Sequence, residues 1–211
     1  MSDLNATTAL PDGTLLEGIV TTLNSDSKPN IAPMGPIVDA SFDRMLLRPF
    51  RSSTTYQNLN RTGQGVLHVT DDVEMLARAA VERLDPLPRL TRAEAVDGVI
   101  LADACRWYAF RIDSIDDCQQ RTLITARVVD RGVIRDFFGF NRAKHAVVEA
   151  AILATRIGML DLDGVLDEFE RLAVLVAKTG GRQEHRAFAF LRRFLDEEMT
   201  KLAARQRVSE P

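Results

Sequence analysis

Residues 48–58 read Arg-Pro-Phe-Arg-Ser-Ser-Thr-Thr-Tyr-Gln-Asn and mark the point where a predicted strand gives way to a predicted helix. Two arginines stand at the end of the strand, and four consecutive hydroxyl residues follow them. Thr54 and Gln57 have the spacing of a capping box, so the helix is predicted to begin there. A helix N-terminus offers free backbone N–H groups and a partial positive charge, which together suit a phosphate.

The same stretch has a simpler interpretation, a capped helix whose arginines lie in solvent. The phosphate interpretation adds the bidentate donors of arginine and the hydroxyl donors to the backbone N–H groups. The side chains predicted to contribute to a ligand site here are Arg48, Phe50, Arg51, Ser52, Ser53, Thr54 and Asn58.

A second polar segment lies upstream, on two predicted strands that precede the arginines. A proline inside a strand removes a donor from the ladder and forces an edge or a bulge, while Gly35 allows a backbone or a flat ligand to approach closely. Such a segment could hydrogen-bond a planar heterocycle through its main chain. The alternative is a strand that ends in an ordinary proline turn. The candidate contacts in this segment are Thr21, Thr22, Asn30, Ala32, Pro33, Met34 and Gly35.

The pattern of residues 15–130 mostly predicts short strands, and the pattern after Phe140 predicts helices. The predicted strands are 16–23, 31–38, 44–50, 65–70, 105–113 and 121–129, and the predicted helices are 71–84, a helix capped by Asn141, 162–178 and 183–205. Strands followed by helices predict an α+β fold. We expect an antiparallel, six-stranded split β-barrel followed by a C-terminal three-helix bundle. The expected division is a loose leader at 1–14, a barrel domain at 15–140 and a helical subdomain at 141–211.

Composition limits the function classes. The chain has 211 residues, of which 45% are hydrophobic and 27% are charged, and its net charge is −3. These values are typical of a globular protein, and they give no global field that would attract nucleic acid or an anionic membrane. The two cysteines form no disulfide framework, and the N-terminal residues carry no secretion signal, so we expect a cytoplasmic protein.

Together, Val20-Thr21-Thr22, residues 30–35 and residues 48–58 resemble the FMN-binding split-barrel superfamily. The resemblance is strongest to a family of uncharacterised archaeal and bacterial proteins that is classed as a domain of unknown function. Residues 141–156 and 178–181 resemble the helical tail of that family. The resemblance implies a homodimer with FMN near the subunit interface. It also implies that the Arg/Ser/Thr cluster holds the phosphate and that the Asn-Ile-Ala-Pro-Met segment faces the isoalloxazine ring.

The expected function is that of an FMN-dependent oxidoreductase, with a nicotinamide or a reduced deazaflavin as candidate electron donor. One alternative is an FMN-binding protein without turnover, acting as a flavin carrier, sensor or assembly partner. Another is a split barrel that has lost flavin and binds a different phosphorylated small molecule. No side chain is nominated as a catalytic acid or base.

The remaining candidates favour structural roles. No metal site is predicted, because His145 and Glu149 are more typical of a helix-surface pair. His68 lies on an apolar strand and is predicted to be a core histidine with satisfied hydrogen bonds. Trp107 and Tyr108 are predicted to pack into the core, although either could stack on a flavin.

Overall fold

The computed structural model describes residue 10 and residues 12–209, with side chains as far as residue 204. The chain divides into two compact units: Met1–Thr70 with Leu87–Phe137, and Asp71–Pro86 with Phe138–Pro211. Of the predicted leader, residues 1–9 and 11 lie outside the described part, and Thr14 already belongs to a strand. The segment Asp71–Pro86 joins the C-terminal helices, whereas the predicted division placed it in the barrel domain.

The first unit is built on antiparallel strands. They are β1 (Thr14–Leu15), β2 (Gly18–Leu23), β3 (Pro29–Met34), β4 (Ile37–Val38), β5 (Arg44–Leu47), β6 (Gln64–Val69), β7 (Leu90–Arg92), β8 (Val99–Leu101), β9 (Arg106–Asp116) and β10 (Leu123–Val133). Eight of them form one sheet in the order β1-β4-β5-β10-β9-β6-β2-β3, and β7 pairs with β8 in a separate ribbon. The large sheet curls into an open half-barrel with β1 and β3 at its two edges.

The predicted count of six strands is wrong, because the main sheet has eight. The predicted strand 31–38 is divided at residues 35 and 36, where Pro36 has no N–H to donate to a ladder. β3 therefore ends at Met34, and β4 begins at Ile37. β1, β7 and β8 have only two or three residues each, which is too short to show an alternating pattern.

Helix α1 (Thr54–Thr62) packs with the sheet around the main core of this unit. The core consists of apolar and aromatic side chains from both elements: Val20, Val38, Met45, Leu47, Tyr56, Leu59, Leu67, Val69, Tyr108, Phe110, Ile124 and Ala126. The helix ends at Gly63, which has a φ of 68° and donates its N–H to Leu59 O at 2.8 Å. Glycine adopts this left-handed conformation without the steric cost of a Cβ.

The second unit contains helices α2 (Val73–Ala80), α3 (Arg142–Ala154), α4 (Leu162–Thr179) and α5 (Arg182–Ser209). The predicted three-helix bundle is therefore wrong in number, because α2 belongs to this unit; the described chain has five helices in all. Asn141 is the N-cap of α3, as predicted, and its Oδ1 accepts from the N–H groups of Ala143 and Lys144 at 2.8 and 3.1 Å. Among the helices that the structure describes, none is long and apolar enough to cross a membrane.

A buried ion pair joins the two chain segments of the second unit. Lys144 Nζ donates to Glu184 Oε1 at 2.7 Å, to Gln183 Oε1 at 3.1 Å and to the backbone oxygen of Asp71 at 2.8 Å. The Lys144 side chain is 14% exposed and that of Glu184 is 7% exposed. The three bonds use all three hydrogens of the ammonium group, so this lysine connects α3 to α5 and to the segment that begins at Asp71.

Candidate functional site

The first element of the site is the N-terminus of α1. Ser53 is the N-cap, because its Oγ accepts from the N–H of Tyr56 at 3.2 Å. The hydroxyl of Ser53 also donates to the backbone oxygen of Phe50 at 2.7 Å. The predicted cap at Thr54 is therefore displaced by one residue, and Thr54 is the first residue of the helix. The first N–H groups of the helix have no acceptor within it, which leaves donors at this end.

The arginine and hydroxyl residues predicted for a phosphate lie in the segment that leads into this helix end. Arg51, Ser52 and Thr54 are exposed, and Arg48 is half-buried. Within the described part of the chain, the Arg51 guanidinium forms no ion pair. A cation beside the positive end of a helix dipole is electrostatically unfavourable in isolation. An anion bound between them would remove that repulsion, so the local charge favours an anion site.

The second element is a network of polar side chains that fastens β2 and β3 to α1. Asn30 Nδ2 donates to Thr22 Oγ1 at 3.1 Å and to Thr55 Oγ1 at 3.0 Å. Asn58 Nδ2 donates to the same Thr22 oxygen at 3.0 Å and to Asn24 Oδ1 at 2.8 Å. Thr22, Thr55 and Asn58 are buried. The network brings the two sequence-predicted segments together, and it uses both N–H groups of each amide within the protein.

Strand alternation divides the predicted contacts on β2 and β3 between the two faces of the sheet. Thr22 pairs with Asn30, and successive residues of a strand point to opposite faces. Thr21 therefore lies on the face opposite to Thr22, where it is fully buried and its hydroxyl donates to Val99 O at 2.6 Å. Pro33 lies on the face of Thr21, whereas Ala32 and Met34 share the face of Asn30. One ligand cannot contact both sets of side chains directly.

Gly35 lies at the other end of this strand segment, about 16 Å from Asn30 for an extended chain. A Cβ built on Gly35 would meet Leu15 Cδ2 at 3.1 Å. Packing against Leu15 therefore accounts for the missing side chain. A ligand that contacts both Asn30 and Gly35 must extend along the strand.

Sequence reasoning missed a third element, the loop 117–122 that joins β9 to β10. Its Gln120 oxygen accepts from the N–H of Arg51 at 2.9 Å, and Phe50 forms an isolated bridge with Arg121. Thr55 and Asn24 in the polar network were also missed. The loop is about 70 residues from Arg51 in sequence, so no local pattern could have indicated the contact.

The family model of a protein of unknown function (DUF447), N-terminal domain, matches residues 16–135, and that of the protein of unknown function (DUF447) matches residues 141–193. The chain belongs to the DUF447 family. This confirms the predicted resemblance to a domain of unknown function that has a C-terminal helical part. A comparison with curated proteins finds no match.

Among solved structures, the DUF447 chain is similar to FMN-bound protein MM1853 of Methanosarcina mazei, with 23% identity and a TM-score of 0.74 over 85% of this chain and 94% of that one. It is also similar to the 2-nitrobenzoate 2-nitroreductase of Pseudomonas fluorescens (19% identity, TM-score 0.48, 62% and 72% covered). A third similar structure is the FMN-binding protein of Thermus thermophilus with bound 1-cyclohex-2-enone (11%, 0.49, 58% and 71%). The likeness to the Methanosarcina mazei structure shows a common fold.

His68 of this DUF447 chain is a core residue, which confirms the prediction. It is fully buried, its Nδ1 lies 3.2 Å from Ile19 O, and its Nε2 accepts from the N–H of Leu101 at 3.1 Å. These partners define a neutral ring with its hydrogen on Nδ1. Burial lowers the pKa of His68 to about 4, so it is uncharged at neutral pH.

The remaining histidine, cysteine and aromatic candidates lie on the helix surface or in the core. His145 and Glu149 are exposed on α3, and Cys105 is buried. Tyr108 packs into the core and stacks on Phe42 with ring centroids 4.9 Å apart. In the part of the chain that the structure describes, no three His, Cys, Asp or Glu residues are grouped so as to hold a metal ion.

Proposed function

We propose that this protein binds FMN and acts as a flavoprotein oxidoreductase. The observation that carries the proposal is the Arg51 guanidinium, exposed and without an ion pair in the described chain, beside the N-terminus of α1. The superfamily resemblance and the fold shared with an FMN-bound protein support FMN as the ligand.

The residues present fit the two parts of FMN. Arg48, Arg51, Ser52, Thr54 and the first N–H groups of α1 would hold the phosphate, because they supply charge-assisted and neutral donors at one place. The face of β3 that carries Asn30, Ala32 and Met34 would hold the ring. The polar network fastens this strand to α1, so the phosphate part and the ring part of the site keep a fixed spacing.

Bound FMN would supply the redox chemistry, and the protein would supply binding, orientation and electrostatics. Met34 is half-buried and unbranched, so it can adapt to a planar ring. Thr21, Thr22 and Asn58 support this surface through contacts within the protein. The Thr21 hydroxyl donates to Val99 O, and Thr22 Oγ1 accepts from the amides of Asn30 and Asn58.

The first test compares FMN with riboflavin, which lacks the phosphate. Losing two or three charge-assisted bonds costs about 3–6 kcal/mol, so FMN should bind a hundredfold or more tightly than riboflavin. Arg51→Ala should weaken FMN binding, whereas Lys28→Ala, in an exposed turn, should not. Equal affinity for the two flavins in fluorescence quenching would reject the phosphate assignment.

A flavin carrier or sensor without turnover is the second candidate, and one observation favours it. An enzyme that uses a nicotinamide must also hold the phosphates of that second nucleotide. Arg61, a candidate for this role, donates to the backbone oxygen of Leu23 and to Asn58 Oδ1 instead. Anaerobic mixing of the FMN-loaded protein with NADH, NADPH and a reduced deazaflavin separates the candidates. Fast bleaching by one donor supports the oxidoreductase, and reduction by dithionite alone supports the carrier.

We also propose a homodimer. β3 is an edge strand of the main sheet. An edge strand presents unpaired backbone groups, which a second copy can cover. Light scattering should report twice the chain mass of 23.5 kDa, and a constant 23.5 kDa across a wide concentration range would reject the dimer.

A further inference from the structure

The loop 117–122 is fixed by its backbone to the segment that carries Arg48 and Arg51. The N–H of Thr122 donates to Pro49 O at 3.0 Å, and the hydroxyl of Thr122, which is fully buried, donates to the same oxygen at 2.9 Å. The N–H of Arg51 donates to Gln120 O at 2.9 Å. These bonds lie on both sides of Arg121, so the position of its backbone relative to the arginine segment is set.

The side chain of Arg121 extends over the same segment. Its Nε donates to Arg48 O at 3.3 Å, and its guanidinium carbon lies 5.5 Å from the centroid of the Phe50 ring. Phe50 is 54% exposed, so this guanidinium is held at the surface, over the segment that carries Arg48 and Arg51. Guanidinium groups that lie near one another repel, and a phosphate bound beside this segment would relieve that repulsion.

A second contact holds the start of the loop on helix α1. The hydroxyl of Tyr56 donates to Asp117 Oδ2 at 2.6 Å, and this bond raises the pKa of Tyr56. Tyr56 is otherwise buried in the main core, so the loop is anchored to a rigid element. Asp116, the last residue of β9, fixes the start of the loop as well, because its Oδ1 accepts from the N–H of Cys118 at 3.1 Å.

We propose that Arg121 is a third arginine of the FMN phosphate site and that Tyr56, through Asp117, is a positioning residue that keeps the Arg121 loop in place. This inference rests on the proposed FMN function and assigns to it a residue from a distant part of the chain. Arginine suits the role because its planar fork can donate two parallel hydrogen bonds to a phosphate.

The experiment measures Kd for FMN and for riboflavin by fluorescence quenching, at one low salt concentration. Arg121→Gln should weaken FMN binding tenfold or more and leave riboflavin binding unchanged, since only FMN carries the phosphate. Arg121→Lys keeps the charge but lacks the planar guanidinium, so its Kd for FMN should lie between those of the wild type and Arg121→Gln. The matched control is Arg127→Gln, which makes the same charge change on β10, about 20 Å farther along the strand, where Arg127 pairs with Asp113.

Tyr56→Phe tests the positioning role. It should weaken FMN binding about threefold or more in the wild-type background and have no further effect in an Arg121→Gln background. Equal weakening in both backgrounds, or equal weakening for riboflavin, would show a general structural role and overturn the assignment of Tyr56. Circular dichroism spectra of all variants establish that they fold.

The failures of this inference and of the proposed function can be told apart. If wild-type protein prefers FMN and Arg51→Ala abolishes the preference while Arg121→Gln keeps it, the role of Arg121 is wrong and the FMN function stands. If wild-type protein binds neither flavin, the proposed function is wrong. If it binds both flavins equally, the phosphate assignment is wrong, and in either case the role of Arg121 is wrong as well.

Discussion

Replacing Lys144 with methionine should destabilise the helical unit strongly. The substitution keeps most of the aliphatic stem but removes the three hydrogen bonds that Nζ donates to Asp71, Gln183 and Glu184. It leaves the Glu184 carboxylate, only 7% exposed, with backbone N–H donors, among them that of Gly181 at 2.7 Å, and without its ammonium partner. Breaking a buried pair in this way costs about 3–5 kcal/mol. That is a large part of the roughly 5–15 kcal/mol by which a folded protein is stable.

The effect should depend on pH, because Glu184 titrates differently in the two proteins. In the wild type, burial alone would raise the pKa of Glu184, but the hydrogen bonds from Lys144 and from backbone N–H groups outweigh it and hold the pKa below its usual 4.5. The ionised form therefore stabilises the fold above about pH 4.5, and this contribution is lost as the pH falls through the folded-state pKa. Without Lys144, burial dominates and the pKa of Glu184 rises. Protonation of Glu184 then removes the buried charge from the variant. The difference in the free energy of unfolding between wild type and variant should therefore become smaller from pH 7 towards pH 4.

Urea unfolding followed by circular dichroism measures both effects. Lys201→Met is the control, because Lys201 and Glu198 form an exposed pair on α5 whose side chains are 52% and 30% exposed; its change should stay below about 0.5 kcal/mol. The double variant Lys144→Met/Glu184→Leu removes both charges and should regain most of the lost stability. This role of the pair would be refuted if Lys144→Met lowered the free energy of unfolding by less than about 1 kcal/mol at pH 7. It would also be refuted if the variant differed from wild type by the same free energy at pH 7 and pH 4.

Three further predictions concern the first unit. Asn58→Ala should lower the free energy of unfolding by about 1–3 kcal/mol, since it removes the Asn58 donor of half-buried Asn24 and one of the two amide donors of buried Thr22. Urea unfolding should show almost no change for exposed Asn60→Ala on the same helix, and similar losses at both positions would contradict the network. Ser53→Ala should cost about 1 kcal/mol through loss of the cap of α1, with exposed Ser52→Ala as the comparison in the same unfolding assay. His68 should stay neutral in the folded protein until the pH approaches 4, whereas the unfolded chain takes up the proton near pH 6.5. The free energy of unfolding should therefore fall as the pH drops from about 6.5 towards 4. An NMR titration that places the pKa of His68 at 6.5 or above would contradict the lowering of this pKa by burial.

Local signals in the sequence determined the elements whose hydrogen bonds close within a few residues. The cap Asn141 and the 3.6-residue period placed the helices to within a few residues. Alternation and turn residues placed the long strands β2, β6, β9 and β10 in the same way. The motif at residues 48–58 was sufficient to predict a helix start next to two arginines, and only its cap was displaced, from Thr54 to Ser53.

The tertiary structure alone decided which of these residues meet. Strand alternation implies that Thr21 and Thr22 point to opposite faces, but only the pairing of β2 with β3 and the packing of α1 show that Thr22 faces Asn30 and Asn58. The two- and three-residue strands form because a neighbouring strand offers them partners, so their own residues carry too little pattern to predict them. Arg121 reaches Arg48 across 73 residues of sequence through the β9–β10 hairpin. Contacts of this kind depend on the path of the whole chain, whereas caps and periodicity depend on interactions between residues that are close in sequence. The sequence therefore determined the helices and strands, and the fold determined which side chains form the site.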